Sequence, residues 1–269
     1  MLRSILVIHP GALGDVLLAV PALQWLKKTF PDHSILLLSN EPAGRILLDC
    51  RLIDAWMSVQ GADCAELWSG SLPGSAELRQ RLQTCDRAVA WMRDDDRGLV
   101  NALKRCGVGE VLIQSPFNPT LKSRHQTDRF LETLGGTIAQ RPVDEAIQLS
   151  TSLMEQGQAW LADRGVADDR PLVLIHPGSG SRYKCTSAEV LASVIVALNQ
   201  EGFYSLVLEG PADEAIAAQL CHRLPMTVPV LRGQELSLVA GVMAQAVIFI
   251  GHDSGVTHLA ACLGVPTIA

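Results

Sequence analysis

Two distant segments of this chain open in the same way. "ILVIHPGALGD" starts at Ile5 and "LVLIHPGSGSRYK" at Leu172: each is a short apolar run, then His-Pro-Gly, then small residues leading into a stretch of helical spacing. The runs are continuous rather than alternating, so both faces of each strand must be covered. Strands covered on both faces belong to parallel sheets with crossover helices. A chain that begins this pattern twice reads as α/β in two halves of one architecture.

In the first half "SILVIH" precedes a helix expected over 16–30, "SILLLS" precedes one around 42–50, and "RAVAWM" precedes one over 98–106. The second half predicts strands over 172–175, 205–208, 228–231 and 247–250, with a last one beginning at Val265. Between the halves, "RPVDEAIQLS" from Arg141 reads as extended, 153–164 as helical, and "GVADDRP" from Gly165 has linker chemistry. The expected domains are therefore 1–165 and 166–269. The chain stops at Ala269 inside an apolar run, with no capping helix, so the second domain is expected to be truncated.

Composition excludes several classes. With 269 residues and 48% hydrophobic content there is material for two modest cores. A net charge of -6 argues against a generic nucleic-acid binder, which needs clustered Lys and Arg to neutralise phosphates. The 7 cysteines are odd in number and form no C-x-x-C pair, which points to a reducing compartment rather than to a disulfide framework or a zinc site. His9, Pro10, Gly14 and Asp15 interrupt the first apolar run, so it is a strand and a loop, not a signal peptide. No apolar segment approaches the roughly 18 residues of a spanning helix, which leaves peripheral membrane contact. "RDDDRG" at Arg93 reads as a solvated loop, and no H-E-x-x-H pair supports a metal site.

Ligands of such sheets collect beyond the carboxyl ends of the strands, where helix N-termini offer N–H groups and partial positive charge. Both His-Pro-Gly turns and the turn in "FIGHDSGVTHLAACLGVP" hold that position. In the last, Ser254 and the N–H groups after it suit a phosphate, Gly255 suits the turn, and Asp253 either orders the loop or accepts from a sugar hydroxyl. His258 lies one turn further on the same face. In "HPGSGSRYK", Ser179, Gly180 and Ser181 let amides approach an anion and Lys184 supplies a compact cation. In "HPGALGD", Gly14 allows close approach, and Asp15 is either a first-turn acid or a general base.

Together, "ALGDVLLAVPALQWLKKTFP", "IHPGSGSRYK" and "GHDSGVTHLAACLGVPT" resemble glycosyltransferase family 9, the ADP-heptose:lipopolysaccharide heptosyltransferases, over nearly the whole chain and in the same order. The resemblance implies a GT-B fold, two Rossmann-like domains facing a central cleft, with the second incomplete here. It implies inverting chemistry with no metal and no cofactor. On the family's motifs, Asp15 is the base, Lys184 the donor-phosphate lysine, Ser179 the small hydroxyl residue before it, and Glu214 the acid that contacts the donor ribose. D-[ST]-G-x-x-H falls on Asp253, Ser254, Gly255 and His258. "NPTLKSRHQTDRF" offers Lys122, Arg124, His125 and Arg129 to an anionic lipid-linked acceptor. His9 stands where the family usually has Arg, and Cys185 and Thr186 follow the lysine where it usually has Trp.

The expected function is transfer of heptose from an ADP-sugar to a hydroxyl of the lipopolysaccharide core, in the cytoplasm and peripherally at the inner membrane. The alternatives are a non-catalytic nucleotide-binding or assembly protein and a GT-B enzyme using another nucleotide sugar. An NAD-dependent oxidoreductase is weaker, because neither His-Pro-Gly turn is followed by G-x-G-x-x-G with a suitably spaced acid.

Overall fold

A computed structural model describes residues 3–116, 124–142, 146–166 and 170–269. The chain divides into two compact units, Met1–Asp144 and Glu145–Ala269.

The first unit runs β1 (Arg3–His9), α1 (Leu13–Leu17), α2 (Val20–Thr29), β2 (His33–Ser39), α3 (Glu41–Asp49), β3 (Ala55–Ser58), α4 (Ala62–Trp68), α5 (Ala76–Gln83), β4 (Cys85–Ala90), α6 (Gly98–Arg105), β5 (Glu110–Ile113) and α7 (Gln126–Thr133). Its sheet is parallel, in the order β3-β2-β1-β4-β5. Every β1 residue after Arg3 is buried, as the unbroken apolar run requires of a central strand covered on both faces.

The helix expected over 16–30 is divided into α1 and α2. Pro21 sits in the first turn of α2, where its missing N–H is harmless; one turn further in, it would break the ladder. The acidic loop before α6 has a local purpose. Asp94 accepts from Leu99 N at 2.9 Å and Val100 N at 3.0 Å, and Asp96 from Gly98 N at 3.2 Å, so both carboxylates serve the open end of that helix.

The second unit runs α8 (Thr151–Ala162), β6 (Leu172–Ile175), α9 (Ala188–Gln200), β7 (Tyr204–Glu209), α10 (Glu214–Arg223), β8 (Val230–Arg232), α11 (Leu236–Met243), β9 (Ile248–Ile250), α12 (Gly255–Cys262) and β10 (Thr267–Ile268). The sheet, again parallel, has the order β10-β9-β6-β7-β8. The unit begins upstream of the division expected at Gly165, because α8 packs on α11. Gly157 and Gly241 make that contact: a Cβ on Gly157 would collide with the Gly241 backbone, and one on Gly241 with the Leu153 carbonyl. Helix backbones approach this closely only over small residues.

Both sheets share one logic. The chain works outward from the first strand on one side, through β2 and β3 or β7 and β8, then restarts on the other side, at β4 or β9. The switch points thus lie between β1 and β4 and between β6 and β9, where helices depart in opposite directions and leave a crevice at the strand ends.

Candidate active site

In the second unit the switch point gathers the turn after β6 and the turn after β9. Ser179 donates from Oγ to the Asp253 carbonyl at 2.7 Å, and Lys184 donates from Nζ to Asp253 Oδ2 at 2.5 Å. Lys184 closes a short 3₁₀ turn, Arg182–Lys184, so its ammonium faces the β9 turn rather than leading into a helix. Its hydrogen bond, then its charge, holds the Asp253 carboxyl below the ordinary aspartate range, and His258 adds to this. Both partners are exposed, with side chains 53% and 62% accessible, so the pair is water-screened and open to competition by a stronger anion.

Ser254 caps α12 and accepts from Thr257 N at 3.4 Å. The helix start it caps, opening with Gly255, offers the first-turn N–H groups that have no intrahelical acceptor. His258 Nε2 is 3.8 Å from Asp253 Oδ1, on the same face as the turn. Gly180 is exposed, with nothing near a would-be Cβ, so the loop there is open to a ligand. Ser179, Lys184, Asp253, Ser254, Gly255 and His258 therefore meet around one turn. Glu214 stands apart, exposed in the first turn of α10.

The residue before Glu214 is the one turned inward. Asp213 is buried and lies 2.9 Å from His176 Nε2, with Oδ2 also accepting from Gly210 N at 3.0 Å. His252 Nε2 accepts from Thr186 N at 2.9 Å. Sequence reading noticed the His-Pro-Gly turn but gave His176, Asp213 and His252 no part; the only signal was a histidine ending each apolar run.

In the first unit a cavity of about 620 Å³ opens at the switch point, lined among others by His9, Gly11, Asp15, Trp91, Arg93 and Phe130. Asp15 is exposed in the first turn of α1 and accepts from Ala12 N at 3.2 Å, which closes the turn beneath it. Gly14, partly buried, precedes it in α1 and accepts from Leu18 N. Gly11 is needed here: a Cβ would stand 2.7 Å from His9 Cε1 and 2.8 Å from Asp15 Cβ. His9 packs edge-on against Trp91 and Phe130 and accepts at Nδ1 from Gly11 N at 3.2 Å. Burial lowers its pKa to about 4 against the opposing charge of Asp15, so the ring is neutral at pH 7.

Of the basic residues expected to face an acceptor, Lys122 lies outside the described residues. Arg124 is exposed and pairs with Glu132; His125 is exposed and caps α7 through Nδ1, which accepts from Thr127 N at 3.3 Å. Arg129 is buried: it donates to Pro116 O at 2.8 Å, Gln126 Oε1 at 2.9 Å and Ser115 O at 3.3 Å, and so ties α7 to the loop after β5. Among the described residues, no helix is long and apolar enough to cross a membrane.

Two parallel α/β units, each with a crevice at its switch point, are Rossmann-like in architecture. The sequence pattern of Glycosyltransferase family 9 (heptosyltransferase) matches residues 132–269, and the chain belongs to this family of glycosyltransferases. Lipopolysaccharide heptosyltransferase 3 of Escherichia coli K12 is 25% identical over 281 residues, 95% of this chain and 78% of that protein. A family 9 glycosyltransferase structure from Veillonella parvula superposes with a TM-score of 0.81 at 21% identity, covering 98% of this chain and 79% of that one. The structure of the E. coli ADP-heptose lipopolysaccharide heptosyltransferase II gives 0.77 at 16% identity, over 98% and 83%. The fold is that of the heptosyltransferase structures.

Proposed function

We propose that this chain moves a heptose from ADP-heptose onto a hydroxyl of the lipopolysaccharide core, inverting the anomeric centre and using neither metal nor cofactor. The observation that carries the reading is the meeting of Lys184, Ser179 and Asp253 at the capped head of α12, a site suited to a diphosphate. The donor named for the related heptosyltransferase II supports ADP-heptose as the sugar nucleotide.

The division of labour follows from where charge develops. Asp15 takes the proton of the attacking hydroxyl as the new bond forms at the anomeric carbon. The bond to the diphosphate breaks at the same time, and the charge it leaves is met by Lys184 and the N–H groups that open α12. The Asp253 carboxylate, displaced from Lys184 by the phosphate, orders the turn or accepts from a sugar hydroxyl. The acceptor sugar docks in the cavity beside Asp15, with Arg93, Arg124 and His125 as the accessible basic groups. A lipid-linked acceptor brings the chain peripherally to the cytoplasmic face of the inner membrane.

Thermal unfolding in the presence of a panel of ADP- and UDP-sugars tests the donor assignment, because a ligand that binds the folded state alone raises Tm. ADP-heptose is expected to protect more than any UDP-sugar. Equal protection by UDP-sugars would move the chain to another donor.

A further inference from the structure

Three polar side chains from separate parts of the second unit form a file behind the anion turn. His176 follows β6, Asp213 precedes α10 and Ser254 caps α12. The side chains of His176 and Asp213 are 5% and 11% exposed, and their 2.9 Å contact is thus made almost without water. The backbone makes room for the carboxylate. A Cβ on Gly178 would collide with it, and one on Gly210 would stand 2.6 Å from Oδ2. On the other side of the ring, Nδ1 lies 3.4 Å from Ser254 Oγ.

These contacts fix where the protons are. A carboxylate only accepts, so His176 Nε2 carries a hydrogen and donates it to Asp213. The neutral ring then presents a lone pair at Nδ1. Ser254 has one proton and two inward acceptors for it, His176 Nδ1 and Thr257 Oγ1, the latter at 2.9 Å. Thr257 cannot reciprocate, because its own hydroxyl donates to the His252 carbonyl at 2.5 Å. In the resting protein the Ser254 proton therefore points away from the place where a phosphate would sit.

We infer that Asp213 and His176 are positioning residues for donor binding: arrival of a diphosphate draws one solvent proton onto His176 Nδ1, which then donates to Ser254 Oγ, so that Ser254 turns its own proton outward to a phosphate oxygen. The proton count balances at one taken up, and no bond other than hydrogen bonds changes. The inference rests on the donor reading given above. Burial holds the His176 pKa below the ordinary histidine value, with the Asp213 hydrogen bond and charge opposing and a charge on His252 lowering it further. An added anion at the turn favours the imidazolium. The groups facing the ring are Asp213 from the β7–α10 turn and His252 and Ser254 from the β9–α12 turn. Cys185, whose thiol feels the Asp213 charge and is raised chiefly by burial, and the Lys184–Asp253 pair lie beside them.

The test is calorimetric titration with ADP-heptose, whose bridging diphosphate does not itself change charge between about pH 6 and pH 8, in buffers of differing ionisation enthalpy. Wild-type protein is expected to take up a fraction of a proton at pH 7, to a limit of one, with affinity rising up to about tenfold per pH unit lowered. Ser254→Ala, which keeps the buried pair, should bind with its pH slope and proton uptake largely lost, and Asp213→Asn should do the same if it folds. Binding without proton uptake in the wild type, or an unchanged slope in Ser254→Ala, overturns the relay while leaving the donor assignment standing. No binding at any pH overturns the donor assignment and the relay with it.

Discussion

The Lys184 ammonium is held 2.5 Å from Asp253 Oδ2, tying the turn after β6 to the turn after β9. Because both groups are more than half exposed, the pair contributes only about 0–1 kcal/mol to stability. On the donor reading proposed above, its value lies in holding a cation at the head of α12 until a phosphate displaces the carboxylate.

Replacing the cation should separate binding from folding. Lys184→Ala is expected to weaken ADP binding about tenfold or more, the loss of one charge-assisted contact, while Tm shifts by no more than about 3 °C. Calorimetric titration beside a thermal scan reads both. A large fall in Tm with unchanged affinity would make Lys184 a structural residue.

The helix contact that assigns α8 to the second unit gives a stability prediction. Gly157→Ala places a methyl group against the Gly241 backbone, which neither helix can yield without separating, and should cost about 1–3 kcal/mol. Gly180→Ala, where nothing lies near the added Cβ, should change stability by less than about 0.5 kcal/mol. Urea denaturation of the two variants decides, and equal midpoints would show that the helices are not in backbone contact.

What the sequence made legible follows from how local each feature is. β1, β2 and β6 are central strands buried on both faces, and their apolar runs announce them. β3 and β5, at the sheet edges, are short and only partly buried; "AWMS" and "EVLI" carry little signal, and neither was anticipated. The meeting of the β6 and β9 turns was legible because Ser179, Lys184 and Asp253 to Ser254 each belong to a strand-turn-helix junction readable in place. The Asp213–His176 pair was not, since it exists only because the sheet sets β7 next to β6.

Chemistry and binding should also part at Asp15. It is exposed, its carboxylate accepts from Ala12 N, and it lines the cavity in the first unit. Asp15→Asn keeps the shape and can still accept from Ala12 N, yet it cannot take a proton. Turnover is expected to fall about 100-fold or more with ADP affinity unchanged. Steady-state transfer assays measure the first and calorimetry the second; near-normal transfer would remove Asp15 as the base.

His9 provides a pH signature independent of any ligand. In the folded protein its pKa is about 4, below the 6.5 of an unfolded histidine, so the unfolded chain binds the proton more readily. Its contribution to stability is therefore complete above pH 6.5, declines as pH falls from 6.5 toward 4, and levels off below. The full loss is up to about 3 kcal/mol. His9→Asn removes the titrating ring while leaving an acceptor for Gly11 N. The stability difference between wild type and variant should thus shrink as urea titrations move from pH 7 to pH 4.5, although both proteins also lose stability through their carboxylates. A difference that stays constant would mean the ring is solvated and charges freely. In that case the cavity wall beside Asp15 would not be the dry, aromatic surface that His9, Trp91 and Phe130 form.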